Sequence, residues 1–255
     1  MSTTINVQNC DIYFGQDAGK KVLSDMKNAK KSLKIVSPYL SPSFLDELVS
    51  LHFDSVNVRL LTTDKIKENN SHLNFLRKLI KQHRILNDEA EKIRNKWIDW
   101  CSFLLFGIVG YVIAFLLTAY FYWSIKLFYG IIPLVIAILI RKLYQEKIMQ
   151  KRIYDYKYES LFPFKVFISP TYKNYYKGIF VHSKIYIIDD QIAYLGSLNF
   201  TESGMKFNYE TIIKITDKES VDKIIKEFND LFFSSNLPSH HINLFGKELF
   251  VEEIN

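Results

Sequence analysis

A short polar motif between residues 182 and 199 has the residue types that phosphate chemistry requires. His182 and Lys184 lie two residues apart in a run that otherwise has the apolar character of a strand, and Gly196, Ser197 and Asn199 follow the next short strand. Alternate residues of a strand point to the same face, so we expect the imidazole and the ammonium group side by side. Two groups that repel one another when charged have little structural reason to be neighbours. A phosphate between them supplies a reason, because the imidazole can attack phosphorus while the ammonium group holds the charged oxygens.

Polar residues around this pair extend the same chemistry. Gly196 leaves room for the backbone and for the short side chains of Ser197 and Asn199 to approach an anion. Glu210, on the following strand, is placed to accept the other imidazole N–H and so to fix the tautomer. Asp189 has the opposite strand parity and falls in a predicted turn, so we expect it to support that turn rather than to contact substrate. Each of these residues, taken singly, also has an ordinary structural role.

Together the residues follow the pattern H-x-K-x4-D-x6-G-S-x-N. This pattern resembles the HKD signature of the phospholipase D superfamily. The continuation "GSLNFTESGMKFNYE" also resembles the small single-motif bacterial nucleases of that superfamily. The resemblance extends more weakly over residues 10–84 and 161–233, whereas the segment 97–140 departs from that pattern.

The resemblance implies a phosphodiesterase that needs neither a metal nor another cofactor. His182 would be the nucleophile that forms a phosphohistidine, and Lys184 and Asn199 would bind the phosphate oxygens. The implied catalytic set also includes Ser197, Glu210 and Asp189. The family's active site uses two such motifs and this chain has one. The resemblance therefore implies a homodimer in which one His182 attacks and the other protonates the leaving oxygen.

Residues 101–123 form an uncharged apolar segment that is long enough to cross a bilayer as a helix. A shorter apolar segment, 127–140, follows after Lys126. The two predict a transmembrane hairpin with spans at about residues 99–122 and 125–141. A buried helical pair in a soluble core is the alternative, which apolar runs of this length disfavour.

Basic residues flank both outer ends of the predicted hairpin, whereas its connecting turn has only Lys126. The flanking residues are Lys92, Arg94, Lys96, Arg141, Lys142, Lys147, Lys151 and Arg152. The positive-inside tendency therefore predicts that both termini and the catalytic domain lie on the cytoplasmic side of the inner membrane. Cys10 and Cys101 lie far apart and are expected to be reduced thiols, which agrees with that side.

Strand and helix patterns alternate on both sides of the hairpin. Apolar runs such as "SLKIVSPYL" and "VNVRLLTTD" predict strands, whereas "DKESVDKIIKEFNDLFF" has the cap and the periodicity of a helix. The alternation predicts an α/β fold, and the resemblance specifies a phospholipase D-like mixed sheet flanked by helices. We assign residues 1–84 and 161–235 to the two parts of this domain. Residues 85–160 are assigned to a helical stalk with the hairpin, and 236–255 to a tail.

The segment "SPTYKNYYKGIF", 169–180, leads into the motif and mixes aromatic with basic residues. Lys173, Lys177 and Tyr175 are predicted substrate-binding residues, because such a mixture can hold a phosphate backbone and stack on bases. Contact with lipid headgroups and ordinary exposure to solvent are the alternatives for this loop.

The net charge of +6 lies mostly around the hairpin, where residues 91–160 carry 10 Lys and Arg against 5 Asp and Glu. Residues 161–255 carry 10 against 12, which argues against tight nucleic-acid binding. The function predicted from the sequence is nevertheless a membrane-anchored, sequence-nonspecific endonuclease that acts as a homodimer on nucleic acid. A phospholipase D or phosphatidyltransferase acting on membrane lipids is the alternative that the hairpin favours. A module that only binds anions is a second alternative, which the complete catalytic set disfavours.

Overall fold

A computed structural model of the chain describes residues 5, 7, 10–64, 70–122, 125–170 and 179–255. Its contacts divide the chain into two compact units. The first, called the sheet unit below, is formed by residues 1–82 and 158–250. The second, called the hairpin unit, is formed by residues 83–157 and 251–255.

Strands and helices alternate along much of the chain. The strands are β1 Cys10–Gly15, β2 Ser32–Val36, β3 Asn57–Thr63, β4 Ile80–Leu86, β5 Tyr154–Ser160, β6 Phe164–Phe167, β7 Ile185–Ile188, β8 Ile192–Gly196 and β9 Glu210–Ile215. The α-helices are α1 Ala18–Lys27, α2 Pro42–Phe53, α3 Asp88–Phe121, α4 Ile131–Gln150, α5 Glu202–Lys206, α6 Lys218–Phe232 and α7 Ile242–Leu249. Two 3-10 helices, Asn70–Leu79 and Ile125–Gly130, complete the set of described elements.

The main sheet has seven strands in the order β1-β9-β8-β7-β2-β3-β6. β2 pairs with β3 and β3 with β6 in parallel, and the remaining neighbours are antiparallel. Helix α6 starts with Asp217, whose side chain accepts a hydrogen bond from the backbone of Ser220 (2.9 Å). Its apolar side chains, among them Ile224 and Phe228, are buried against Ala193 and other strand residues. The predicted mixed sheet flanked by helices is confirmed.

Four strand ends meet at the edge of the sheet that carries the motif. Strand β2 ends where its antiparallel neighbour β7 begins, with Val36 opposite Ile185. Strand β8 ends at Gly196 and β9 begins at Glu210, on the same edge. Residues just before β7 and just after β8 are therefore brought together by antiparallel pairing, although they are distant in sequence.

The turn between β7 and β8 sets the register of this pair. Asp189 and Asp190 both have positive φ, 53° and 58°, and the backbone N–H of Gln191 donates to the carbonyl of Ile188 (3.0 Å). This is the two-residue turn whose twist matches the twist of the flanking strands. The carboxylate of Asp189 also accepts hydrogen bonds from the backbone of residues 30–32, at 2.6 to 3.0 Å. The turn is thus bound to the start of β2.

Helices α3 and α4 form an antiparallel hairpin that covers most of the two predicted spans. Each contains a window long and apolar enough to cross a membrane, judged by length and composition. These windows are only 6% and 0% buried within the chain, so their apolar side chains are left exposed by the protein itself. The alternative to a transmembrane hairpin was a helical pair buried in a soluble core. The described residues do not bury the two helices in this way.

The predicted helical stalk is wrong over two stretches, because β4 and β5 form a separate two-stranded sheet there. In β5 the aromatic residues Tyr154, Tyr156 and Tyr158 alternate with charged ones, which is the two-residue period of a strand. The high charge content concealed this signal. The helix begins only after Asn87, whose side chain accepts a hydrogen bond from the backbone of Ala90 (3.1 Å).

Most of the segment assigned to a tail, 236–255, packs onto the sheet unit instead. The backbone N–H of His240 donates to the carbonyl of Val166 in β6 (3.0 Å). Helix α7 buries Phe245, and Gly246 lies so close to Tyr158 that a Cβ atom there would overlap with the ring. Residues 236–250 are therefore part of the sheet unit.

Candidate active site

His182 and Lys184 lie in contact immediately before β7. The Lys184 Nζ atom is 2.9 Å from Nδ1 and 3.1 Å from Nε2 of His182, and it donates to the His182 carbonyl oxygen at 2.8 Å. Lys184 is only 8% exposed, whereas His182 is exposed. The ammonium group is therefore enclosed beneath an imidazole that faces outward, where a substrate can reach it.

Both groups are shifted toward their neutral forms. Burial, with the positive charge of Lys184 as a second cause, lowers the pKa of His182 below its usual value. Burial also lowers the pKa of Lys184, against the opposing effect of the Glu210 carboxylate. A neutral imidazole is the form that can act as a nucleophile, so the electrostatics of the pair favour attack.

Glu210 lies in the site but does not bind the imidazole as the sequence led us to expect. Its carboxylate accepts hydrogen bonds from the Ser197 hydroxyl and from Asn208 Nδ2 (3.1 Å). The same hydroxyl accepts a hydrogen bond from the Thr211 backbone (3.1 Å). Because Glu210 is the first residue of β9 and Ser197 follows β8, the strand pairing brings them together. Within one chain, Glu210 therefore positions Ser197.

Asn199 offers a polar side chain to the site, whereas Gly196 allows two strands to pack closely. The Oδ1 atom of Asn199 is buried and has no hydrogen-bond partner among the described residues, which is rare for a buried polar atom. This oxygen can only accept, so the Nδ2 group of the same side chain is the one that could donate to a phosphate oxygen. Gly196 is required by packing, because a Cβ atom there would overlap with the carbonyl of Thr211. The glycine thus permits β8 and β9 to approach, rather than directly making room for an anion.

Asp189 lies at the far end of β7 from the imidazole, in the turn described above. The hydrogen bonds that it accepts from the backbone of residues 30–32 outweigh its burial and lower its pKa. The carboxylate is therefore occupied in holding the turn. This placement supports the structural interpretation of Asp189, and its inclusion in the catalytic set stays a prediction.

Two residues near the imidazole were missed by sequence reasoning. The ring of Tyr39 meets the His182 ring edge-on, with centroids 6.4 Å apart, and the Phe180 ring lies 5.6 Å away. Ser37, just after β2, donates to the Tyr39 carbonyl (2.7 Å) and accepts from the Phe200 backbone (2.9 Å). The motif "SPYL" directly after a buried strand was the available signal, because loops at that end of β2 must lie beside β7.

The predicted substrate-binding residues Lys173, Lys177 and Tyr175 lie outside the described residues. Within the described part of the chain, no group of three or more His, Cys, Asp or Glu residues could hold a metal ion. The side chains that the described part of the site offers for chemistry are those of His182, Lys184, Ser197, Asn199 and Glu210.

Comparison with known proteins relates part of the chain to lipid enzymes. Residues 132–232 match a family model described as "Cardiolipin synthase, PLD-like domain". The chain is 39% identical over 57 residues to cardiolipin synthase 1 of Bacillus anthracis and 32% identical over 94 residues to cardiolipin synthase 2 of Bacillus cereus. These alignments cover 22% and 36% of this chain but only 11% and 18% of the two relatives. The chain thus matches a small part of their length.

Several solved structures are similar to the chain at low sequence identity. NucT from Helicobacter pylori has a TM-score of 0.46 and 13% identity, with 91% of this chain and 99% of that chain covered. Nuc from Salmonella typhimurium, described as a phospholipase D family member, has a TM-score of 0.45 and 12% identity with the same coverage. Phosphatidylserine synthase from Haemophilus influenzae has a TM-score of 0.42 and 11% identity, with 94% and 44% covered.

Proposed function

We propose that this chain, which carries a PLD-like domain of the phospholipase D superfamily, is a membrane-anchored phosphodiesterase that works through a phosphohistidine on His182. The observation that carries the proposal is the contact between an exposed imidazole and an enclosed ammonium group. Burial is unfavourable for the charge of Lys184, and burial together with that charge disfavours protonation of His182. An anionic phosphate fits both conditions, because it supplies acceptors for Lys184 and an electrophile for His182.

The reaction has two steps. In the first, the neutral imidazole of His182 attacks phosphorus, an N–P bond forms, and the bond from phosphorus to the leaving oxygen breaks. His182 of the partner subunit gives a proton to that oxygen. In the second step, water or an alcohol loses its proton to the same partner imidazole, attacks phosphorus and releases His182. Lys184 and Asn199 hold the phosphate oxygens throughout, and Glu210 keeps Ser197 in place beside them.

A phospholipid is the substrate that we rank first. The two apolar helices attach the sheet unit to a bilayer, and the relatives with 32–39% identity over the matched residues are named cardiolipin synthases. Transfer of a phosphatidyl group, or its hydrolysis, uses the two steps above with an alcohol or with water as the acceptor. This ranking reverses the preference for a nuclease that the sequence alone supported.

Endonuclease activity is the second candidate. It is favoured by the stretches "GSLNFT" and "NYE", which resemble the single-motif nucleases, and by the Tyr-Lys loop before the motif. Because such a site reads phosphate rather than bases, cleavage would show little sequence preference. Lys173, Lys177 and Tyr175 keep their predicted role in binding the backbone under this candidate.

The experiment compares substrates on one purified preparation of the full chain. Phosphatidylglycerol and cardiolipin in liposomes, double- and single-stranded DNA, RNA, and a small chromogenic phosphodiester are offered with EDTA present. The matched variants are His182→Asn and His241→Asn. The second also replaces an exposed histidine, and an asparagine at the start of α7 keeps its capping role.

We expect lipid turnover that survives EDTA, is lost in His182→Asn and is retained in His241→Asn. Cleavage of DNA or RNA with intact lipid would select the second candidate. Strong EDTA inhibition restored by a divalent ion would contradict the phosphohistidine mechanism for both. Binding of every substrate without turnover would leave only the anion-binding module.

A further inference from the structure

The imidazole of His182 has no hydrogen-bonding group that would fix its orientation within one chain. Among the described residues, its two ring nitrogens are contacted by the Lys184 Nζ atom alone, at 2.9 and 3.1 Å. Because these distances are nearly equal, the contact does not distinguish one nitrogen from the other. A reactive imidazole is usually held by a carboxylate or a carbonyl on one nitrogen. The carboxylate of Glu210 is instead hydrogen-bonded to Ser197 and Asn208, so the orientation of the imidazole depends on other contacts.

Two aromatic rings contact this imidazole from different parts of the chain. The Tyr39 ring comes from the loop after β2, the strand beside β7, and meets the imidazole edge-on, with centroids 6.4 Å apart and an interplanar angle of 81°. The Phe180 ring comes from the same segment as His182, and its centroid lies 5.6 Å away at an angle of 35°. Contacts between rings favour particular relative orientations. The two rings therefore restrict rotation of the imidazole about its bond to Cβ.

The loop that carries Tyr39 is fixed by hydrogen bonds to two other parts of the sheet unit. The hydroxyl of the fully buried Ser37 donates to the Tyr39 carbonyl (2.7 Å) and accepts from the Phe200 backbone (2.9 Å). The backbone N–H of Ser41 donates to the Phe200 carbonyl (3.0 Å). The carbonyl just before Tyr39 accepts from the Thr63 hydroxyl at the end of β3 (3.0 Å). Because Tyr39 is also half-buried, its ring is held in place beside an exposed imidazole.

We propose that Tyr39 is a positioning residue whose ring holds the imidazole of His182 in the orientation required for attack on phosphorus. This role rests on the proposed function, in which His182 is the nucleophile. The attacking nitrogen must point at phosphorus, and a misaligned nucleophile lowers the rate of attack. The contact is made by the ring, and no hydrogen bond joins the Tyr39 hydroxyl to His182 in the described residues. A phenylalanine should therefore serve in place of Tyr39, whereas an aliphatic side chain should not.

The test measures the mobility of the imidazole and the rate of turnover, both on the full chain in detergent. Selective carbon-13 labelling of histidine Cε1 reports the motion of each ring by NMR relaxation, and His182→Asn identifies the signal of His182. We expect a rigid ring in the wild type and in Tyr39→Phe, and a mobile ring in Tyr39→Leu. With the small chromogenic phosphodiester and EDTA, kcat should fall about tenfold in Tyr39→Leu while KM changes little, because alignment is lost and phosphate binding is kept. The control, Phe207→Leu, removes an exposed ring that precedes β9 and should leave both measurements unchanged.

The two measurements separate this role of Tyr39 from the proposed function. Absence of turnover in the wild type would contradict the proposed function, and the mobility of the imidazole would still decide the role of Tyr39. Equal mobility in the wild type and in Tyr39→Leu, or an unchanged kcat in that variant, would overturn the positioning role. A loss of kcat in Tyr39→Phe as large as in Tyr39→Leu would also overturn it, because the effect would then belong to the hydroxyl.

A second variant covers the case in which Tyr39→Leu does not fold. Tyr39→Met places a flexible apolar side chain in the same space without a ring. A mobile imidazole in this variant supports the positioning role of Tyr39, and a rigid one contradicts it.

Discussion

Two polar clusters in the sheet unit share strands β8 and β9 but have opposite energetics. In the first, the carboxylate of Asp25 accepts hydrogen bonds from the Tyr194 hydroxyl (2.5 Å), Lys214 (2.9 Å) and Lys21 (2.9 Å). Burial by itself raises the pKa of Asp25, but these hydrogen bonds lower it to about 2. Each charge in this cluster has an opposite partner, so the cluster stabilises the fold.

The second cluster lies at the motif, and its polar groups lack the oppositely charged partners that the first cluster has. His182 and Lys184 are in contact although both can carry positive charge, and the Oδ1 atom of Asn199 has no partner within the described residues. We infer that the cluster around Asp25 stabilises the fold and that the cluster around His182 is arranged to bind a ligand. A change in the first cluster should therefore alter stability and spare turnover, and a change in the second should do the reverse.

The largest effect is expected from replacing one lysine in each cluster, Lys184 or Lys214. Lys184→Met should lower turnover of a small phosphodiester by about three orders of magnitude, because the phosphate loses its counter-charge. Stability should change less than in the matched variant of the first cluster, because burial opposes the Lys184 charge and only a longer-range attraction to Glu210 is lost. Lys214→Met, the matched change, should destabilise the fold and leave turnover per folded molecule unchanged. The turnover and the midpoint of thermal unfolding of each variant are measured in detergent. Equal loss of turnover in the two variants would remove the distinction between the clusters.

Asp25→Asn should lower the free energy of unfolding by about 2 kcal/mol near neutral pH. This is the stabilisation that corresponds to the lowering of the Asp25 pKa from 3.8 to about 2 in the folded protein. Because the folded-state pKa lies below the unfolded value, this stabilisation is fully present above the unfolded pKa and is lost as pH falls through about 2. The difference between wild type and variant should therefore be constant near neutral pH and shrink in acid. Unfolding midpoints across pH, with the exposed Asp222→Asn as the control, test this. A difference that grows in acid would contradict it.

Asp189→Ala should cost about 2 kcal/mol, because three backbone N–H groups lose their acceptor. Asp189→Asn should cost less, since asparagine tolerates positive φ and retains one acceptor oxygen. Turnover per folded molecule should be unchanged in both variants if Asp189 only holds the turn. A normal unfolding midpoint combined with lost turnover would support the place of Asp189 in the catalytic set. Midpoints and initial rates on the same preparations provide the measurement.

The proposed homodimer predicts that inactive chains reduce activity by more than their fraction. When His182→Asn and wild-type chains are mixed equally and allowed to reassemble, mixed dimers lack one of the two imidazoles. Activity should then fall to about a quarter rather than a half, because only dimers of two wild-type chains remain complete. The result that counts against the idea is a decrease in proportion to the inactive fraction, or full activity in a monomer isolated by size.

The smallest expected effect is on the pH dependence of kcat/KM. Because burial and Lys184 lower the pKa of His182 below 6.5, its neutral form persists into mildly acidic solution. Attack requires that form, so kcat/KM should fall on the acid side with a midpoint below 6.5. Initial rates with the chromogenic phosphodiester across pH measure this midpoint. An acid limb centred above 6.5 would indicate that the imidazole is held in its charged form.

The position of the motif was predictable because it rests on short-range rules. Strand parity places His182 beside Lys184, and the short strand pair β7–β8 brings Ser197 and Asn199 to the same edge. The partner of Glu210 was not predictable, because it depends on how β9 approaches β8 in three dimensions. There the absence of a Cβ atom at Gly196 lets the backbones approach and brings Ser197, rather than the imidazole, within reach of the carboxylate.

The errors outside the site have a similar origin. Residues 154–160 are rich in charge and lack glycine and proline, which favoured a helix, but the tyrosines at every second position pack as a strand. The C-terminal segment has no strong periodicity of its own. Its backbone pairs with β6 and Phe245 is buried only because the sheet unit supplies a surface for it. Propensity over a short window cannot represent a surface made by distant residues.

Trapping the covalent intermediate tests whether a phosphohistidine forms on His182. The substrate carries a label in the part that stays attached to phosphorus. It is mixed with the full chain in EDTA, and the reaction is quenched within one turnover. The protein is then digested at alkaline pH, where a phosphohistidine survives. If a phosphohistidine forms on His182, the peptide that contains His182 carries label. The label is lost on acid treatment and is absent in His182→Asn. Turnover of the same substrate with no label on that peptide, or label that persists in His182→Asn, would contradict this intermediate.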